Sequence, residues 1–412
     1  MACGTNWDAA RTPCVLKVFH RSAQRKRFPA RIKITRPEIR NLHLIASTDV
    51  GSLPPRVDSS SLANGARNFQ TLSHLLRHGS VMEQVKVFED EVKKAFGEKL
   101  KLGLDAPTYP QFRDMNEMFL EMIRGVERTG SGYTAQKRLS AIPNRAIPEV
   151  GVLKQSLSEI RDGSQLDRVP IKICVTGPYT LASLFKNRSI TLIGELGDAI
   201  AEITSNSVFD HRYGGVSMVC VDEPALGFLN DPLLDFGSEG RETLRNAWEN
   251  VCRAATSKGV ETSMHIHDTS EGLFWEIKHL NVVESHVDDP LYELVDTKRH
   301  LEETDKILKA SVGLTVFDDL IKTRVVTRDA DKNPEELIGE TWTNIRHGMV
   351  DPLTFLEQES VMRERLRKVV NRFGSERVKY AGPECGLKSF PTYECAMECL
   401  RKTASAIRAE SG

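Results

Sequence analysis

VSMVCVDEPA, residues 216–225, is a run of apolar and β-branched residues closed by two acids and a proline. A short apolar run bounded by turn-forming residues reads as a buried strand. Runs of the same kind recur at LHLIAST (42–48), KLGLDAP (101–107), IKICVTG (171–177), ETSMHIH (261–267), NVVESHV (281–287), ILKASVG (307–313) and VKYAGP (378–383). Between them lie amphipathic segments. VMEQVKVFEDEVKKAF (81–96) and DPLTFLEQESVMRERLRKVVNRFG (351–374) place apolar residues at i, i+3, i+4 and i+7, as a helix with one buried face requires. In the second, Asp351 is the expected N-cap, Pro352 the first helical residue and Gly374 the stop. Strands alternating with helices predict an α/β fold with a parallel sheet, and eight of them predict a closed (β/α)8 TIM barrel. An open doubly wound sheet is the alternative, but no G-x-G-x-x-G follows the first strand. The stretch 113–165 exceeds a normal crossover and is expected to hold an insertion.

The chain has 412 residues, 40% hydrophobic and 27% charged, with a formal net charge of -1. That balance points to a folded core and away from nucleic acid or an anionic membrane as the main partner. No run approaches the roughly 18 apolar residues of a membrane span. The eight cysteines, Cys3, Cys14, Cys174, Cys220, Cys252, Cys385, Cys395 and Cys399, are scattered along a long chain. This reads as a reducing, cytoplasmic setting in which a special cysteine serves metal or catalysis. Residues 1–40 stand apart: ten are Lys or Arg, against Asp8 and Glu38. They are expected to form a basic N-terminal extension to a barrel domain spanning 41–412.

In such a barrel, function sits at the C-terminal ends of the strands. There the sequence places TDVGSLPP, TGPYT, VDEPA, HIHD, ESH and GPECGLK. His265 and His267 are two apart on a strand and project to one face. Glu284, near the end of the next strand, offers an oxygen; Cys385, between Pro383 and Gly386, offers a sulfur. Zinc accepts this mixture of donors. His286 shares a face with Glu284 and is a reserve ligand. Structural roles remain open for all of these: His267 capping the next turn with Asp268, Glu284 pairing with a lysine, Cys385 filling core space. Cys395 and Cys399, four apart on an expected C-terminal helix, belong to its apolar face.

Taken together, VGSLPP, TGPYT, VDEPAL, HIH, Glu284 and PECGLK resemble, in order and placement, the catalytic barrel of the cobalamin-independent methionine synthase (MetE) family, over about residues 42–405. The family fold is a TIM barrel related to uroporphyrinogen decarboxylase. The resemblance implies a zinc ion held by His265, Glu284 and Cys385, with His267 where the family has a cysteine. It implies substrate contacts at Val50, Ser52 and Asp222, and catalytic roles for Asp222 and Glu223. The family's second amine-binding glutamate has no counterpart; TYPQFRDMNE (108–117) stands there, with Gln111 and Asp114 nearby.

The implied activity is a zinc-dependent methyltransferase acting on a thiol, homocysteine first and coenzyme M as the alternative acceptor. The family's histidine that protonates a leaving folate nitrogen is replaced by Leu320 in VFDDL (316–320). That substitution favours methylcobalamin on a corrinoid protein over a methyl pterin as donor, with the basic extension as its docking face. Two other readings keep the fold: a thiol alkyltransferase, and a uroporphyrinogen-decarboxylase-like lyase using Arg56.

Overall fold

The apolar runs become the staves of a barrel. A computed structural model describes residues 45–71, 79–227, 231–325 and 333–411, which belong to one unit, Ile39–Gly412. The expected extension, residues 1–40, lies outside the described residues. Strands β1 (Ala46–Ser47), β4 (Val169–Thr176), β6 (Gly214–Glu223), β7 (Glu261–Ile266), β8 (Val282–Glu284), β9 (Ile307–Gly313) and β10 (Val378–Pro383) pair in parallel, in the order β1-β10-β9-β8-β7-β6-β4. The eighth position is filled by the run around Ala106, which bridges β1 through Thr48↔Ala106 and β4 through Thr108↔Lys172. Its hydrogen bonds close the ring: Ala106 N–H donates to the Ser47 carbonyl (3.0 Å) and Lys172 N–H to the Pro107 carbonyl (2.9 Å). The fold is therefore the expected (β/α)8 barrel. β4 and β6 are buried along almost their whole length, as strands covered on both faces must be.

The expected insertion contains an antiparallel hairpin, β2 (Ile123–Thr129) with β3 (Gly132–Ala141), and two short helices, α4 (Pro148–Gln155) and α5 (Leu157–Ser164). β5 (Asp210–His211) is a two-residue strand folded back on the start of β6. The remaining helices are α1 (Ser59–Thr71), α2 (Ser80–Lys101), α3 (Glu117–Leu120), α6 (Pro178–Ser183), α7 (Ile190–Ser207), α8 (Glu239–Thr256), α9 (Val295–Thr304), α10 (Phe317–Val325), α11 (Pro334–Arg346), α12 (Glu359–Phe373) and α13 (Tyr393–Ser411). Among the described residues, no helix is long and apolar enough to cross a membrane.

One helix departs from expectation. Asp351 does cap, its carboxylate accepting from Leu353 N–H at 2.9 Å, but only a 3-10 turn, Pro352–Phe355. The chain then runs extended at Leu356 and restarts as α12, which ends at Gly374 with φ 87°. The break serves Glu357, whose carboxylate accepts from Leu314 N–H (2.8 Å) and pairs with Arg365 (2.7 Å). Tertiary partners override the local period here. On α13, Cys395 and Cys399 are buried, on the apolar face as expected.

The barrel interior is unusually polar. Asp222, His265 and Glu284 are consecutive partners across β6, β7 and β8. Cys174 and Cys220 are partners one step below, and Lys172 and Lys309 are fully buried. A barrel stabilised by packing alone would carry branched apolar residues at these positions.

Outside the ring, α7 meets α8 through Gly197, where a Cβ would stand 2.4 Å from that of Ala247. Gly197→Ala should therefore lower stability by roughly 1–3 kcal/mol through overpacking. Gly339→Ala, in an open position of α11, should raise it by about 0.5–1 kcal/mol. Denaturant midpoints of the two variants check both signs.

Candidate metal centre

The ends of β7, β8 and β10 converge at the barrel mouth. Ile266 turns outward into the core, so its neighbours His265 and His267 share the inner face, with ring centroids 5.1 Å apart. Two residues beyond the end of β8, His286 brings a third ring, its centroid 5.6 Å from that of His265 and 4.1 Å from that of His267. β10 delivers Cys385, whose Sγ lies 3.6 Å from His267 Nε2. One ligand atom each from His265, His267, His286 and Cys385 lies within 4.8 Å of the others. Tetrahedral zinc with bonds of 2.0–2.3 Å spaces its ligands by about 3.3–3.8 Å, so the cluster is slightly wider than a closed site.

Their chemistry fits a metal. Both ring nitrogens of His265 and Nε2 of His286 are sealed from solvent with no hydrogen-bond partner. A buried polar atom left unsatisfied costs about 1–3 kcal/mol, and several lone-pair donors in one cluster fit a bound cation. Burial pushes His265 well below its ordinary pKa, pushes His267 down to about 3 and lowers His286. All three are neutral imidazoles with lone pairs to donate. Burial holds the Cys385 thiol up at about 12.

Glu284 is brought next to this cluster but is engaged elsewhere. Its Oε1 lies 3.1 Å from Lys172 Nζ and 3.4 Å from Cys220 Sγ. Its Oε2 lies 2.9 Å from Lys309 Nζ, a charge contact rather than a well-directed hydrogen bond, and 3.9 Å from His265 Nδ1. Burial works to raise the carboxyl, yet the two ammonium groups outweigh it and hold it well below the carboxylate range. Lys309 also donates to the Pro383 carbonyl (2.6 Å), at the root of the Cys385 turn.

Asp222 faces the same mouth. Its Oδ1 has no partner and its Oδ2 lies 4.0 Å from Cys174 Sγ. Burial, reinforced by the charges of Glu284 and Glu223, raises its carboxyl to about 8. Val50 packs on Cys174 and Cys220. Ser52 abuts the Cys385 turn: a Cβ on Gly386 would sit 1.9 Å from its Oγ, and its carbonyl accepts from Leu387 N–H (2.9 Å). Between them Gly51 has φ 128°, and a Cβ there would press on Thr108 at 2.7 Å. Gln111 is buried nearby, its amide donating to Tyr109 OH (2.8 Å) and the Cys174 carbonyl (3.2 Å). Asp114 is exposed and caps the turn into α3.

The structure does not bring Glu223 into the mouth. Neighbours on a strand face opposite ways, and Glu223 points outward, between α6 and α8. There it accepts from Tyr179 N–H (3.0 Å), Thr180 N–H (2.7 Å), Thr180 Oγ1 (2.6 Å) and Trp248 Nε1 (2.7 Å). Tyr179 is likewise structural, its hydroxyl bonded to Asp231 at 3.1 Å. Arg56 is equally committed: it pairs with Glu91 (2.9 Å) and Glu98 (3.1 Å) and lies 4.1 Å over the Tyr393 ring. It is not available to bind propionates.

Sequence reasoning missed Lys172 and Lys309. The signal was present: each is a lone lysine inside an otherwise apolar strand, IKICVT and ILKASVG.

The described residues thus form a parallel barrel with a cluster of nitrogen and sulfur donors at its mouth. The sequence model of the cobalamin-independent synthase catalytic domain matches residues 45–329, and the chain belongs to that family. The match contains Asp222, His265, His267 and Glu284; Cys385 lies beyond it. The 5-methyltetrahydropteroyltriglutamate–homocysteine methyltransferase of Nitratidesulfovibrio vulgaris is 24% identical over 93% of this chain and 44% of its own. That of Thermotoga maritima is 26% identical over 48% and 27%. The methionine synthase of Saccharolobus solfataricus is 29% identical over 34% and 43%. The matched stretch thus spans less than half of each relative. The B12-independent methionine synthase of Shewanella sp. W3-18-1, solved with selenomethionine, superposes with a TM-score of 0.56 at 15% identity, over 89% of this chain and 96% of that one, and shares its fold.

Glu223→Gln should cost roughly 1–3 kcal/mol of stability, because an amide cannot accept from four donors at once. Metal uptake by the folded variant should be unchanged. Calorimetric unfolding and metal analysis of one preparation test this; loss of uptake in a stably folded variant would return Glu223 to the site.

Proposed function

We propose that this chain transfers a methyl group to the thiol of homocysteine, at a zinc ion held in the barrel mouth. The observation that carries the reading is the convergence of His265, His267, His286 and Cys385, with partnerless buried ring nitrogens on His265 and His286, in a member of the cobalamin-independent synthase family. When bound, zinc supplies Lewis acidity that lowers the pKa of a substrate thiol. His265, His267 and Cys385 would hold it. Glu284, which the family pattern favours, and His286 compete for the fourth protein position.

The chain's own residues do the rest. Asp222 offers a sealed, partnerless carboxyl oxygen, and the homocysteine ammonium beside it would draw this raised carboxyl back to its anionic form. Val50, Gly51 and Ser52 line the turn beside Cys385, where the substrate carboxylate would lie. Gln111 is already satisfied by Tyr109 and Cys174 and adds no second negative contact to the amine. The rigid strand ends orient thiol against donor, and alignment of reacting atoms can be worth roughly 7–11 kcal/mol of barrier.

For the donor, the names of the relatives favour a methyl pterin. They give no support to the corrinoid protein expected from Leu320. Leu320 is buried on α10, and Asp318 and Asp319 are exposed there, so a proton for the leaving pterin nitrogen would come from elsewhere in the mouth.

The test is turnover by zinc-loaded chain with homocysteine or coenzyme M, each paired with a 5-methyltetrahydropteroyl donor or methylcobalamin, products identified by mass spectrometry. Methionine from the pterin donor is expected. Product from methylcobalamin alone would move the donor assignment, and absence of every product would overturn the reading. In the active pairing, Asp222→Asn should raise KM for homocysteine about 10–150-fold, the loss of a charged hydrogen bond worth ~1.5–3 kcal/mol. It should leave the KM of a thiol without an amine unmoved.

A further inference from the structure

We infer that the fourth protein ligand of this centre is His286, and that Glu284 is a buried counter-charge to Lys172 and Lys309 rather than a ligand. The inference rests on the metal reading above and fixes its donor set: three imidazoles and one thiolate.

Three observations converge. The ligand atoms of His265, His267, His286 and Cys385 fall within 4.8 Å of one another, and Glu284 is not in that set. Nε2 of His286 is sealed and partnerless, so it can turn to a cation without breaking any bond. Glu284 cannot. Both of its oxygens stand against ammonium groups, Oε1 at 3.1 Å from Lys172 and Oε2 at 2.9 Å from Lys309. All three side chains are buried, and withdrawing the carboxylate would leave two cations without a counter-charge in a low-dielectric interior. A metal ion would also meet the field of those two lysines as it approached Glu284. His286 lies two residues beyond Glu284, on the same face of the chain, so the exchange needs no rearrangement of β8.

The consequence is electrostatic. Cys385 is then the one anionic ligand, and the loaded centre carries a formal charge of about +1 before substrate arrives, from a dication and one thiolate. A substrate thiol that entered as a fifth ligand or displaced one imidazole would have its pKa lowered more at such a centre than at one with more anionic ligands, and its thiolate would be a weaker nucleophile.

X-ray absorption at the zinc edge of the full-length wild-type chain tests the assignment without relying on activity. The expected spectrum has one sulfur at about 2.3 Å, with nitrogens at about 2.0–2.1 Å, and outer-shell scattering from three imidazole rings. Two rings with an added oxygen would overturn it. Zinc affinity by chelator competition is the second measurement. His286→Ala should match Cys385→Ser, each losing well over 100-fold. Glu284→Gln should lose no more than the roughly 10–100-fold of a group standing behind the ligands. Equal losses for Glu284→Gln and Cys385→Ser, with zinc retained by His286→Ala, would reverse the assignment. If Glu284→Gln does not fold, the ring count of the wild type decides alone. Failure of the wild-type chain to bind zinc at all would sink the metal reading itself, an outcome distinct from a wrong fourth ligand.

Discussion

Glu284 sits between two buried ammonium groups, and much of the barrel is organised around that arrangement. Charges taken out of water persist only if paired, and removing one partner from such a pair costs about 3–5 kcal/mol. Lys172 comes from β4, Glu284 from β8 and Lys309 from β9, so a single ion cluster ties three staves from the inside. Lys309 adds a fourth by donating to the Pro383 carbonyl of β10. Cys385 follows two residues later. The cluster that pairs the interior charges therefore also fixes the root of the turn that presents the sulfur, and the candidate metal donors rest on a charged floor rather than an apolar one.

This explains what was legible in the sequence and what was not. Most strand positions were legible because the runs are largely apolar and end at turn residues, a local signal; the run at 101–107 was so only in part, since α2 extends to Lys101 and the chain then makes isolated bridges at Ala106 and Thr108. The helix over 351–374 was half legible: Asp351 and Gly374 mark its ends, but Glu357 is drawn to Leu314 and Arg365, partners that no local period contains. The β2–β3 hairpin was missed although TGSG, between alternating residues, is a turn signal of the ordinary kind. A long insertion invited no closer reading than its length.

At the site, residue types were readable and their partners were not. His265, His267 and Cys385 stand out as metal-competent groups at strand ends, and the structure gathers them. Glu284 stood out for the same reason, but its engagement with two lysines depends on barrel closure across strands far apart in the chain. His286 was visible only as a reserve. Glu223 could have been set aside from the sequence alone. Adjacent residues of a strand face opposite ways, and the resemblance already gave Asp222 the substrate contact, so Glu223 had to face the helices, where α6 and Trp248 meet it.

The charge balance of the mouth follows from these placements. Beneath it, two lysines face one carboxylate, an excess of one positive charge. Around the proposed metal, three neutral imidazoles and one thiolate leave another. Asp222 offers an unpaired oxygen to a cationic group, whereas Glu284 Oε2, also without a hydrogen bond, already faces Lys309. A ligand that brings an anionic sulfur, a carboxylate and a single ammonium therefore enters with its charges opposed one by one, whereas a neutral thiol gains only the Lewis acidity. On the proposed function, an amino-acid thiol would fit this mouth because of the lysines below it as much as the ligands around it, and the interior ion cluster and the choice of acceptor would be one electrostatic design.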